Sequence, residues 1–282
     1  MPFLASIKPS SLYSGVDPDW GAYKFLAQGD SWFSIGAVPF YKTTSVLMRT
    51  GMKKRASVVN CADPGFTLKR MLDKVSDPVF QQLLFGAIER DWDGLLISGL
   101  GNDVIHALNS ASTEPQGERL LLTSAEWGLQ ADASRYISAP GWTAFGNYAR
   151  VLYKDLDRMR QASKYNKDTP IITHTYDLAT PRNAPAGPSG PWIYKALTTY
   201  GIPKADWCPL ANELLGRLSS LICDIATNIP EMHVAKTQGT LTPAPPDSSG
   251  RQGHWENEIH PSKAGYKLLG DKYSAELQHL YP

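Results

Sequence analysis

A serine hydroxyl attacks a carbonyl carbon only when a base takes its proton and hydrogen-bond donors wait for the oxyanion, and this chain offers each of those groups in a short, distinctive stretch. The first is Phe25-Leu26-Ala27-Gln28-Gly29-Asp30-Ser31-Trp32, an apolar run ending in Gly-Asp-Ser. An apolar strand delivers its last residue to the edge of a sheet, and the glycine permits the sharp turn that exposes the Ser31 hydroxyl at the start of the next helix. Taken alone, the tripeptide reads first as a helix cap, with Asp30 or Ser31 satisfying orphan backbone N–H groups.

Three further stretches change that balance. Asn60-Cys61-Ala62-Asp63-Pro64-Gly65-Phe66-Thr67-Leu68 follows a second apolar run, and Gly65 lets the backbone approach a ligand and aim its N–H at developing negative charge. Ser98-Gly99-Leu100-Gly101-Asn102-Asp103 follows a third, where Asn102 offers a side-chain amide donor. In Trp255-Glu256-Asn257-Glu258-Ile259-His260-Pro261-Ser262, the proline fixes a helix start and leaves a base, His260, in the loop before it.

The elements that must position these groups show as five apolar runs separated by helical patterns: Tyr23 to Ala27, Ala56 to Asn60, Gly94 to Ser98, Pro170 to Thr175 and Met232 to Lys236. That alternation predicts a parallel sheet with crossover helices. Phe145, Tyr148, Val151, Leu152, Leu156 and Met159, like Leu210, Leu214, Leu215, Leu218, Leu221, Ile222 and Ile225, recur at helical spacing and are read as core. Ser262 to Leu280 reads as a last helix over one sheet face. Three segments, 104–142, 178–191 and 237–253, are too long and too rich in Pro and Gly to be simple connectors. They are expected to wall a site beyond the carboxyl ends of the strands. Their aromatics Trp127, Tyr136 and Trp142, with Trp192, either line that site or anchor the loops.

Serine after the first strand, glycine after the second, asparagine after the third and histidine before the last helix is an order in which the chain resembles the SGNH (GDSL-type) hydrolase family, from Gly29 to about Tyr266. The resemblance implies an α/β, flavodoxin-like three-layer sandwich with a central five-stranded parallel sheet and helices on both faces. It implies Ser31 as nucleophile and His260 as base, and an oxyanion hole made by the N–H groups of Ser31 and Gly65 and the amide of Asn102. The reaction implied is hydrolysis of a carboxylic ester through an acyl-serine, of esterase or lipase type, without cofactor.

Two positions depart from the family pattern. Asn257 stands where Asp is usual, three residues before the histidine; it can orient an imidazole but cannot balance its charge. Glu256 or Glu258 could reach the ring instead, or a backbone carbonyl could hold it. Leu100 stands where glycine is usual. Trp32, His106 and Tyr176 are candidate substrate-binding residues, and His174, at the end of the fourth strand, either faces the site or is structural. His254 has no second histidine at ligand spacing on a regular element, so no metal is expected. Activity is expected to rise near pH 6 to 7, following the ordinary histidine value of about 6.5. Two other readings remain: a carbohydrate O-acetyl esterase, with the loop aromatics as a sugar platform, and a catalytically silent ligand-binding domain.

The totals bound the rest. The 282 residues fit one domain, 1–282, with the three long segments as insertions. Lys plus Arg (28) nearly balances Asp plus Glu (27), with no long basic run, so no nucleic-acid partner is expected and the partner is a small-molecule, carbohydrate or lipid ester. Cys61, Cys208 and Cys223 are odd in number, without metal-type spacing, and read as buried free thiols. No basic n-region precedes an apolar core at Met1 to Pro9, and no run reaches membrane-spanning length. The expectation is a soluble protein, cytoplasmic as synthesised, with export by another route left open.

Overall fold

A computed structural model describes residues 2–14, 18–34 and 44–282. The strands β1 (Ala5–Ile7), β2 (Tyr23–Gly29), β3 (Ala56–Asn60), β4 (Gly94–Ser98), β5 (Ile171–His174) and β6 (Met232–Ala235) form one sheet in the order β1-β3-β2-β4-β5-β6. Every neighbouring pair is parallel. The sheet thus has six strands where five were expected. The addition, β1, is three residues long and mostly exposed, and it joins the edge by pairing Ala5 with Ser57, so it carries no apolar periodicity to read.

Helices cover both faces, giving three layers. In chain order they are α1 (Val46–Arg49), α2 (Leu68–Met71), α3 (Pro78–Leu84), α4 (Gly101–Leu108), α5 (Ala139–Ala162), α6 (Ile193–Thr199), α7 (Trp207–Thr227) and α8 (Lys263–Leu280). Successive strand residues point to opposite faces. The Ile172 and Phe25 side chains lie on the face where Gly94 approaches Tyr281, just past α8. Thr173 points the other way and meets the Tyr153 hydroxyl of α5 at 3.3 Å. Because both faces are covered, the central strands read as unbroken apolar runs, and Leu95, Leu96 and Ile97 of β4 are each at most 1% exposed.

The strand order places the site. The chain leaves β2 toward β3 on one side and leaves β4 toward β5 on the other, so a crevice opens beyond their carboxyl ends, where such sheets bind ligands. Gly29 pairs with Ser98 across this junction, and a Cβ on Gly29 would lie 2.7 Å from the Ser98 Cβ. Only glycine lets the two strands end this close together.

The segment 104–142 contains more regular structure than a long loop. Its first residues complete α4, and α5 begins at Ala139. Between them the buried Arg119 donates to the Glu114 and Leu121 carbonyls and to both Glu126 oxygens. Asp177 ties the other two segments together by accepting N–H bonds from Leu178, Gly239, Thr240 and Leu241 at 2.7 to 3.0 Å. Among the described residues no helix is long and apolar enough to cross a membrane.

Leu100, at the position where glycine is usual in the resembled family, has φ of +79° and so lies in the left-handed region. Its side chain is fully buried, so packing holds a backbone conformation that costs a leucine about 1 to 2 kcal/mol. Leu100→Gly removes that strain but also removes a buried side chain whose truncation costs about 2 to 5 kcal/mol. Urea denaturation is therefore expected to show a net loss of roughly 1 to 3 kcal/mol, whereas equal or greater stability would mean that the packing argument is wrong.

Candidate active site

Ser31 follows β2 in a turn closed by the Phe33 and Ser34 N–H groups on the Asp30 carbonyl, at 3.1 and 3.0 Å. Its hydroxyl meets Nε2 of His260 at 2.8 Å. His260 lies in a loop folded back on itself: its carbonyl accepts from the Glu256 N–H at 2.9 Å, and the Ser262 N–H closes onto the His254 carbonyl at 2.7 Å. Ser262 then caps α8.

The tautomer of His260 follows from its other neighbour. Oδ1 of Asn257 receives the backbone N–H groups of Ile259 at 3.2 Å and His260 at 2.9 Å, and it lies 3.0 Å from His260 Nδ1. Backbone N–H groups only donate, so the amide oxygen must face them, and an oxygen at that place requires the proton on Nδ1. The Nε2 lone pair is left facing the Ser31 hydroxyl. Asn257 Nδ2 is buried and has no hydrogen-bond partner among the described residues, a cost that a carboxylate oxygen at this place would avoid. Burial pushes His260 down to about 4, so its imidazole is neutral through the physiological range.

Gly65 sits in the loop between β3 and α2 with φ of +79°, and a Cβ there would meet nothing within 4 Å. Conformation, not crowding, favours glycine at this place. The loop is fixed to the site at two points: the Asp63 N–H reaches the Gly29 carbonyl at 3.0 Å, and Asn102 Nδ2 donates to the Phe66 carbonyl at 3.0 Å. An amide nitrogen carries two hydrogens, so Asn102 keeps one for another acceptor.

Glu258, considered above as a partner for the imidazole, turns away from it. Its carboxylate accepts the N–H groups of Arg182, Trp192, Ile193 and Tyr194. Burial nevertheless pushes its carboxyl up to about 7. Glu256 lies 3.9 Å from Arg251. The buried Arg182 completes a clamp, its guanidinium donating to the Asn257 carbonyl at 2.6 Å and to the Gly250 carbonyl at 2.5 Å. Trp192 meets the His260 ring edge-on with centroids 5.5 Å apart. The other loop aromatics pack elsewhere: Trp127 against Tyr136, and Trp142 against Phe145.

Trp32 and Tyr176 both line a pocket beside Ser31 and Asn102. His106 does not: it projects from α4 into a separate cavity with Glu118, Arg119 and Tyr148, because the helix turns it away from the crevice. No three His, Cys, Asp or Glu side chains among the described residues are placed to hold a metal ion.

Beneath Ser31 lies a buried polar network that brings Asp30 and Ser98 together with His174 and Tyr176. Asp30 accepts from the Tyr176 hydroxyl at 2.5 Å and the Trp32 N–H at 2.9 Å, and lies 3.0 Å from Ser98 Oγ. Ser98 Oγ is 2.9 Å from Nε2 of His174, whose Nδ1 faces the Thr175 carbonyl at 3.0 Å. Burial pushes Asp30 up to about 6 and His174 down to about 4. Trp32 stacks on the His174 ring at 5.7 Å and donates its indole N–H to the Ile259 carbonyl at 3.2 Å, joining this network to the histidine loop.

No known family model matches the sequence, and neither does any curated protein. Solved structures do match. A lipase from a goat rumen metagenome has a TM-score of 0.50 at 16% identity, over 90% of this chain and 97% of that one. A protein from Streptococcus pneumonia described as a platelet activating factor has a TM-score of 0.50 at 14% identity, over 97% and 91%. A GDSL-like lipase from Parabacteroides merdae has a TM-score of 0.49 at 14% identity, over 92% and 96%. At these identities the likeness is one of fold, and the chain has the three-layer α/β fold of the SGNH hydrolases.

The Glu258 carboxylate is the acceptor for four backbone N–H groups and sits beside the buried Arg182. Glu258→Ala is expected to lower the unfolding free energy by about 2 to 4 kcal/mol in urea, since it strands those donors and the guanidinium. A change smaller than about 0.5 kcal/mol, the ordinary range for a surface substitution, would show that the clamp carries no load.

Proposed function

We propose that this chain is a serine esterase, cleaving a carboxylic ester through an acyl-Ser31 intermediate that water resolves. The observation that carries the reading is the 2.8 Å contact from Ser31 Oγ to an Nε2 whose lone pair is aimed at it by Asn257. A silent ligand-binding domain has no need of that tautomer.

In this mechanism Oγ attacks the ester carbon as its proton passes to Nε2. The carbonyl oxygen becomes an oxyanion, received by the remaining Asn102 amide hydrogen and the backbone N–H groups of Ser31 and Gly65. Removal of one such donor typically costs about 2.7 to 4 kcal/mol of barrier. The imidazolium then gives its proton to the leaving alcohol, and a water activated at the same Nε2 frees the acid. Asn257 holds the ring through its carbonyl dipole and supplies no charge, so the imidazolium is stabilised less than beside a carboxylate, where Asp→Asn substitution can cost on the order of 10⁴ in rate. The carbohydrate O-acetyl esterase reading shares every step, with Trp192, edge-on to His260, positioned to meet its alcohol half.

The ordinary histidine value would put the acid limb near pH 6 to 7, but burial of His260 moves it down. A base must be neutral to act, so kcat/KM for a short aryl ester is expected to rise through about pH 4 and to be level by neutrality. Asn257→Asp places a carboxylate at Nδ1, favours the protonated ring and moves the limb upward. Mass spectrometry after mixing with the ester should detect acylated wild-type protein and none with Ser31→Ala. Undiminished turnover by Ser31→Ala would refute the proposal.

A further inference from the structure

The peptides on both sides of the nucleophile are fixed by one residue. The Asp30 carbonyl accepts the Phe33 and Ser34 N–H groups at 3.1 and 3.0 Å and the Ser34 hydroxyl at 3.0 Å. In a trans peptide the following N–H points the opposite way, so the Ser31 N–H faces out of the turn, toward any oxyanion that forms there. On the other side of Ser31, Oδ1 of Asp30 receives the Trp32 N–H at 2.9 Å. A peptide plane has no soft torsion of its own, so holding both planes leaves the Ser31 Cα little freedom to turn. Asp30 thus aims both the hydroxyl and the N–H of Ser31.

The Asp30 carboxylate is held in its turn by Tyr176. It is 2% exposed, and a buried charge is tolerated only where donors surround it. The Tyr176 hydroxyl donates to Oδ2 at 2.5 Å and lies 3.2 Å from Ser98 Oγ, which stands 3.0 Å from Oδ1. The Tyr176 ring rests on the backbone of Gly101, where a Cβ would fall 2.6 Å from two of its carbons. Gly101 opens α4, and Asn102 follows it. One side chain therefore touches both the carboxylate beside Ser31 and the helix start beside Asn102. Asp30 also lines the pocket beside Ser31, so a carboxylate deprived of the hydroxyl can turn to water there and release the Trp32 N–H.

Resting on the esterase reading above, we infer that Asp30 and Tyr176 form a positioning pair: the hydroxyl keeps the carboxylate on the Trp32 N–H, and that contact keeps Ser31 aimed at a carbonyl whose oxygen Asn102 receives. Neither residue makes or breaks a bond with the ester. Tyr176, a candidate substrate-binding residue by its sequence position, then governs the rate of attack and not the affinity for the ester.

The test is single-turnover acylation by p-nitrophenyl acetate across ester concentrations, which separates binding from chemistry. Tyr176→Phe keeps the ring on Gly101 and loses only the hydroxyl. Its saturating acylation rate is expected to fall by ~10-fold or more, since a misplacement of about 1 Å can cost on the order of 100-fold, with the half-saturating ester concentration within ~2-fold of wild type. Asp30→Asn keeps an oxygen for the Trp32 N–H and offers an amide hydrogen to the Tyr176 oxygen, so it is expected to acylate faster than Asp30→Ala, which loses both contacts. Rates are referred to folded protein, measured by circular dichroism, and should Asp30→Ala fail to fold, Tyr176→Phe alone decides. Folded Tyr176→Phe acylated at the wild-type rate, with or without a raised half-saturating concentration, would overturn the pair and leave the esterase reading standing. Asp30→Asn no faster than a folded Asp30→Ala would do the same. Failure of wild type to acylate Ser31 would overturn both.

Discussion

Three N–H groups converge on Oδ1 of Asn257, two from the backbone of its own loop and one from the His260 ring, and that convergence fixes the chemistry available to the rest of the site. Because the backbone donors leave no doubt which end of the amide faces them, the ring proton is pinned to Nδ1 and the other nitrogen is free to take the Ser31 proton. A carboxylate would do the same and would also attract the imidazolium. The asparagine orients without attracting, and with burial acting alone on His260 the ring holds its neutral form well below the ordinary histidine range.

The remainder of the structure keeps that oxygen and Ser31 in register. The sheet supplies Ser31 and Asn102 from the ends of adjacent strands, which approach closely because Gly29 has no Cβ. The histidine loop is held from outside by Arg182, which grips the Asn257 carbonyl, and by Glu258, which grips the start of α6. It is held from below by Trp32, which stacks on His174 and bonds the Ile259 carbonyl. Asp30 joins the two supports, receiving the Trp32 N–H on one side and the Tyr176 hydroxyl, itself a pocket wall, on the other. The same clamp that holds the His260 loop thus also sets one wall of the pocket beside Ser31.

Much of this was legible in the sequence because it is local. The buried strands announce themselves as apolar runs, and Ser31, Gly65, Asn102 and His260 each follow or precede an element whose end is marked by glycine or proline. Leu100 shows how a departure from pattern is absorbed, since a leucine takes the left-handed conformation of a glycine when its side chain is fully buried. What escaped depends on partners distant in the chain. Nothing near Glu258 reveals that its acceptors are spent on residues 182 and 192–194, and nothing near Asp30 reveals Ser98, His174 and Tyr176. His106 has a site-like neighbour in Asn102 but faces, with Asp103 and Ala107, another cavity, while Val104 and Ile105 line the pocket beside Ser31. The edge strand β1 escaped for the opposite reason, being too short and too exposed to carry a pattern.

Asn257 imposes a protonation state on His260 that ¹⁵N NMR of the histidine side chains reads directly. At neutral pH His260 is expected as the neutral tautomer with its proton on Nδ1, assigned by loss of that signal in His260→Ala. A proton on Nε2, or a doubly protonated ring at pH 7, would contradict it, because in either state the Ser31 proton has nowhere to go.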